Sequence, residues 1–286
     1  MKGVLLAVIS LLALSASAQA VDGIDLKHLK VTNRCFRCDL SEAKLGEANL
    51  SGADLREANL FGAELFGADL SGADLRGANL IRSRLRGVNL RGADLRGADL
   101  RLADMSMAEL NEADLRGANL RGADMVGADL RGADLLNAKL GRVNLTGANL
   151  RGADLHGTEL FEAALVGADL RGADLSGADL HESNLSAAKL SGADLREANL
   201  FGADLSGADL HEANLFGADL SGADLSYAYL GGANLSGAEL SGAELRVPNL
   251  QLTSELTQQQ VSSACSDPER PPRLPSGLES PPSCAD

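Results

Sequence analysis

From residue 40 to residue 250 a leucine falls on every fifth position without a phase slip, replaced only by Met105 and Met125. This gives 43 repeats. The residue two before each leucine is small, usually alanine, and the other three positions are mostly polar, charged or glycine. A period of five matches neither the 3.6 of a helix nor the 2 of a long flat strand. Within one repeat, however, the two apolar positions are two apart, which is the alternation of a very short strand. Glycine recurs two residues after the leucine, at Gly52, Gly62, Gly67 and Gly72, where a turn with positive φ favours it. Strand, corner, strand, corner, with leucine and alanine turned inward, predicts an all-β solenoid.

The run Ala53-Asp54-Leu55-Arg56-Glu57, followed at once by Ala58-Asn59-Leu60, resembles the pentapeptide-repeat family, over about three-quarters of the chain. The resemblance implies a right-handed quadrilateral parallel β-helix with short terminal caps and four pentapeptides per coil. Residues twenty apart then stack. The repeats would fill between ten and eleven coils, at ~4.8 Å each a rod roughly 50 Å long.

The interior of such a rod has little room to vary. Met105 and Met125 are twenty apart, hence stacked, and methionine nearly preserves leucine's volume. The small position departs from alanine at Cys38, Ser83, Val88, Val143, Thr158, Ser183 and Pro248. Each buried leucine contributes on the order of 1.5–3 kcal/mol, so the core needs no aromatics. Tryptophan is absent and phenylalanine occurs six times.

The chain divides into residues 1–20, 21–37, 38–250 and 251–286. Met1 to Ala20 reads as a secretory signal: Lys2, an apolar run from Val4 to Leu14 broken by Ser10, and a small-x-small site at Ala18-Gln19-Ala20. That run is too short to span a bilayer comfortably. No cysteine follows the cleavage site, so neither a lipid anchor nor a transmembrane anchor is expected after cleavage, and the product is expected to be periplasmic or secreted. Residues 21–37 should cap the first coil, since an open end exposes strand edges. Cys35 and Cys38 fall on the leucine and small positions, facing inward as core thiols or as a structural disulfide. A redox pair would want a βαβ context, and zinc would want more ligands than the nearby His28. At the other end, Pro248 should fray the repeat. Thr257 and Gln260 can form a capping box, opening a short helix that lids the last coil. The proline-rich segment from Asp267 to Asp286 reads as extended and irregular, a cap or a loose end, with a ligand for a partner groove as the alternative. Cys265 and Cys284 are the second candidate disulfide.

The net charge is −14 and the pI near 4.7. Reading every twentieth residue gives a column of eight aspartates, Asp54, Asp74, Asp94, Asp114, Asp134, Asp154, Asp174 and Asp194. Stacked like charges repel, so arginines are expected to compensate. Arg56, Arg76, Arg96, Arg116 and Arg196 would do so from two residues later, and Arg91, Arg131, Arg151 and Arg171 from three residues earlier. The other reading, a DNA-like anionic surface, follows from resemblance to cytosolic members of the family that act on gyrase. With an acidic balance and few exposed aromatics, direct nucleic-acid binding is not expected.

No cofactor, metal or catalytic site is read. His156, His181 and His211 point outward and no two share a column, and no nucleophile, base and oxyanion group can be assembled. Phe61 and Ile81 stack, with Phe66 around the corner, as a candidate interaction patch beside the alternative of isolated exposed side chains. The sequence therefore leads to an exported, non-catalytic structural or protein-interaction scaffold of the cell envelope, with a protein partner it does not name. Self-association is left open. The alternative is a DNA-mimicking effector of a DNA topoisomerase.

Overall fold

In the computed structural model, which describes residues 23–246, 248–250, 253 and 256–284, each repeat makes one parallel β-bridge to the residue twenty positions on. The spacing holds without change from Arg34↔Asp54 to Tyr229↔Asn249. The expected signal segment, Met1–Ala20, lies outside the described residues. Bridges recur every five residues, so each coil has four sides and the chain winds as a four-sided parallel β-helix. A side is only one bridging residue flanked by two inward ones, too short for a conventional strand. We name the sides by their bridging residues: side A runs from Lys44 to Glu244, side B from Asn49 to Asn249, side C from Arg34 to Asn234 and side D from Asp39 to Glu239. Sides A and C lie opposite each other.

One repeat shows why these residue types are needed. Leu70 donates its N–H to the Asn89 carbonyl of the next coil (2.7 Å), and Asp74 donates to Ala53 of the preceding one (2.9 Å). Gly72 donates to Arg91 (2.9 Å), and Ala73 closes the corner on Leu70 (3.0 Å). The remaining N–H, on Ser71, is taken by the carboxylate of Asp69 (3.0 Å). All five backbone donors are placed, as a narrow rod requires, and the last one explains aspartate or asparagine before the leucine. The second corner residue is left-handed, as at Gly62 (φ 63°).

Inside, the leucine and alanine columns are almost wholly excluded from water, with Met105 and Met125 equally buried. Ser83, Thr158 and Ser183 in the small column are also buried. Each turns its hydroxyl onto the carbonyl three residues earlier, at 2.7, 2.8 and 2.6 Å, and no buried side-chain nitrogen or oxygen among the described residues lacks a partner.

Both ends are closed. A helix, α1, covers residues 23–32 and buries Leu29 against the first coil, while Asp25 accepts the N–H of Asp39 (2.9 Å). Cys35 and Cys38 are joined (S–S 2.10 Å), as are Cys265 and Cys284 (2.07 Å). Helix α2, Gln258–Ser263, opens on the Thr257/Gln260 capping box. Gln260 also donates to the Leu235 and Ala238 carbonyls at 2.8 and 3.0 Å, satisfying acceptors at the end of the rod. The C-terminal segment differs from an irregular tail. It returns to the ladder, with Cys265 bridging Glu244, Arg273 bridging Asn249, and Ser283 bridging Ser266. Nor does Pro248 end the pairing, because its carbonyl still accepts from Arg273 (3.0 Å). Proline lacks the donor, not the acceptor.

Candidate functional site

Side C is the regular side. Each of its ten bridging residues from Asp54 to Asn234 is Asp or Asn, and each accepts the backbone N–H two residues on, at 2.9 to 3.5 Å. Along its first half the arginines do more than pair locally. Arg56, Arg76, Arg96 and Arg116 each grip the aspartate two residues before them at 2.5 to 2.7 Å. Each then reaches the aspartate of the next coil at 3.3 to 3.6 Å. The result is an alternating ladder of five carboxylates and four guanidiniums from Asp54 to Asp134. The arginine hydrogen bond holds the carboxyls of Asp54, Asp74, Asp94 and Asp114 below the ordinary aspartate range.

The expected compensation from three residues earlier does not occur. Arg131 pairs with Asp129 (2.6 Å) and Arg171 with Asp169 (2.5 Å), both on side B, and Arg91 and Arg151 make no ion pair with side C. A corner arginine shares its corner with the carboxylate two residues before it, whereas the one three residues on lies past the bend. Asp154 and Asp174 instead accept from His156 (2.9 Å) and Ser176 (2.9 Å).

Side A is irregular. Five of its bridging positions, Lys44, Glu64, Arg84, Ala164 and Glu244, depart from Asp or Asn. Its two bordering corners carry seven of the ten large exposed apolar side chains among the described residues of the rod: Phe61, Phe66, Leu102, Met107, Val166, Phe201 and Tyr227. Leu102 and Met107 are 55% and 59% exposed and stand in the left-handed corner position, at φ 58° and 57°. That conformation costs a non-glycine residue ~1–2 kcal/mol. The corner itself imposes the left-handed backbone, as it does on Glu112 (φ 59°) and Asn137 (φ 57°), but glycine would meet it without strain, and nothing in the fold calls for a large exposed apolar side chain there. Phe66 and Phe161 lie flat over glycines of the preceding coil, and a Cβ on Gly46 or Gly141 would meet the ring at 2.4 Å. Between Leu102 and Phe161 runs an open groove of about 410 Å³, floored by Gly122 and Gly141 and flanked by Arg121 and Arg142.

Among these apolar groups sits a basic cluster. Arg82, Arg84 and Arg86 are all exposed on side A and its corners. Arg84 meets Glu64 at 3.2 Å, and Arg82 and Arg86 have no ion-pair partner among the described residues. The candidate patch is thus placed as follows: Phe61 is 36% exposed, Phe66 47%, and Ile81 half-buried, on successive coils below and beside these arginines. The three histidines stay apart: His181 and His211 bond Asp179 and Asp209 (both 2.7 Å) and His156 bonds Ser176 (2.8 Å). Among the described residues no cluster of His, Cys, Asp or Glu is arranged to hold a metal ion, and no helix is long and apolar enough to cross a membrane.

The family profile described as Pentapeptide repeats matches in eight copies, over residues 34–72, 68–106, 108–147, 138–177, 178–217 and 213–246. The chain belongs to the pentapeptide repeat family. Solved structures of the family include HetL, a pentapeptide repeat protein involved in heterocyst differentiation regulation from the cyanobacterium Nostoc. It is 39% identical over 76% of this chain and 94% of that one, with a TM-score of 0.42. QnrB1, a plasmid-mediated fluoroquinolone resistance protein, is 28% identical over 63% of this chain and 90% of that one (TM-score 0.47). A pentapeptide repeat protein of the Arabidopsis thaliana thylakoid lumen is 32% identical over 44% and 70% (TM-score 0.18). No curated protein matches the chain significantly.

Within this pentapeptide repeat protein the charge is unevenly divided. Residues 1–142 hold 19 basic and 19 acidic side chains, so residues 143–286, with 7 and 21, carry the whole −14. Composition averaged over the chain conceals this. Leu102 and Met107 were available to sequence reasoning, as corner positions where a large apolar residue replaces the usual polar residue or glycine.

Proposed function

We propose that this pentapeptide repeat protein is an exported, non-catalytic scaffold that works by presenting its surface to other proteins, and that its coils wind right-handed as the family's do. The observation that carries the reading is side A. Exposed apolar side chains gather on one side of an otherwise polar rod, three of them, Leu102, Met107 and Tyr227, in left-handed corners, around an arginine cluster of which only Arg84 is paired among the described residues. Export is supported by the N-terminal sequence pattern and by two paired disulfides, which persist in oxidising compartments.

Fractionation with intact mass measurement tests export. The expected species is periplasmic or secreted, begins at Val21 and has no thiol open to alkylation. A full-length cytosolic species with free thiols would overturn that part. Cross-linking in cells tests the scaffold: Phe61→Asp with Ile81→Asp should lose protein neighbours that the natural chain captures, and an unchanged pattern would count against the surface.

The topoisomerase reading keeps one supporting observation, the acidic second half of the rod. Against it stands the ladder of side C, where guanidiniums alternate with the carboxylates. A supercoiling assay with the purified protein decides it, activity being the result that favours mimicry.

A further inference from the structure

We propose that side A is a self-association face on which two copies of this chain pack antiparallel. The proposal rests on the scaffold reading and names the occupant of one face. Side A carries two halves of opposite character. Around Arg84 it is basic and apolar; farther along it bears Glu182, Asp204 and Asp224 beside Phe201 and Val166. A surface that holds both complements can serve an isologous interface.

Geometry selects the direction. A two-fold axis lying in the interface across the rod reverses the order of coils but keeps each corner opposite the same corner of the other copy. Placed at the coil of Asn144, it brings together positions three coils before and three coils after. Arg84 then faces the partner's Asp204, and Ile81 faces the partner's Phe201. One coil from the axis, Val126 faces the partner's Val166. Two coils from it, Leu102 faces the partner's Glu182, and Arg101, which Asp99 of side D holds at 2.7 Å, faces the partner's His181. Among the central positions the like-charged opposition is Glu64 with the partner's Asp224, and Glu64 is held by Arg84 (3.2 Å). The parallel arrangement fails on charge. It would set Arg84 against itself and align the two acidic halves, each carrying the full −14. Opposing charges set register and suppress wrong pairings more than they add affinity, while the apolar side chains supply the buried area.

Sedimentation equilibrium of the mature full-length protein tests this. A dimer that weakens with added salt is expected. Arg84→Asp and Asp204→Arg should each raise the dissociation constant by at least about tenfold, and the double reversal should restore most of the loss. Both positions point outward, and circular dichroism confirms that each variant is folded. As a second readout, Val126→Cys with Val166→Cys should give a covalent dimer on oxidation. A monomer at the highest soluble concentration, or a dimer that neither reversal weakens, overturns the proposal. If the protein is monomeric but Phe61→Asp with Ile81→Asp still loses cellular neighbours, self-association fails and the scaffold reading stands. If those neighbours are also unchanged, both fail.

Discussion

Sides A and C are built on the same leucine and alanine core, yet they have different chemistry. On side C every bridging residue from Asp54 to Asn234 caps the next backbone amide, and four arginines lace five aspartates together. Its residues are accounted for by folding. On side A five bridging positions cannot cap, and the corners after three of them hold Phe66, Arg86 and Val166. In a repeat protein the regular face sets what the fold needs. What departs from it without a folding reason marks where selection has acted on something else.

That contrast can be broken from either side. The largest expected effect is Asp114→Ala, which removes an amide cap and both arginine contacts. It should lower unfolding stability by about 1–2 kcal/mol, as loss of a capping side chain does, read from a urea midpoint. Next, Leu102→Gly and Met107→Gly should stabilise the rod, by about 1 kcal/mol or less each, as relief of the left-handed strain outweighs the added chain entropy. Destabilisation would show that these side chains serve the fold. Acid should weaken side C, along with the aspartates of sides B and D that are held low in the same way. The carboxyls of Asp74, Asp94 and Asp114 are held low by their arginines, so the stability they lend is complete above the ordinary aspartate pKa near 4. It is lost as pH falls through the lowered values. Replacing Asp94 and Asp114 by Asn should flatten that part of the melting-temperature profile. The smallest effect belongs to Arg84→Asp, which should move the urea midpoint by no more than about 0.5 kcal/mol equivalent.

Much of the fold was legible because a strict period leaves few solutions. The inward leucine, the small partner and the glycine corner follow from spacing alone, the twenty-residue stack was implied by the resemblance to the family, and the Thr257/Gln260 capping box was readable as a local motif. The pairing of the arginines was not. Arg131 and Arg171 each lie two residues after one aspartate and three before another, and the bend of the corner decides for Asp129 and Asp169. The C-terminal return was hidden for a related reason. The insertion of α2 breaks the twenty-residue register, so Cys265 bridges Glu244 and Arg273 bridges Asn249 at spacings no periodic reading contains. Phe61, Phe66 and Ile81 could be picked out as apolar exceptions. Their neighbours Arg82, Arg84 and Arg86 became part of the same surface only once the four sides were laid out.

The most direct test of the division between a folding face and a contact face is sedimentation equilibrium of Arg84→Asp beside Asp114→Ala, at a protein concentration where the natural chain associates. The account predicts that Arg84→Asp sediments as a folded monomer while Asp114→Ala, though less stable, keeps the natural mass distribution. Loss of association in Asp114→Ala with none in Arg84→Asp would contradict it.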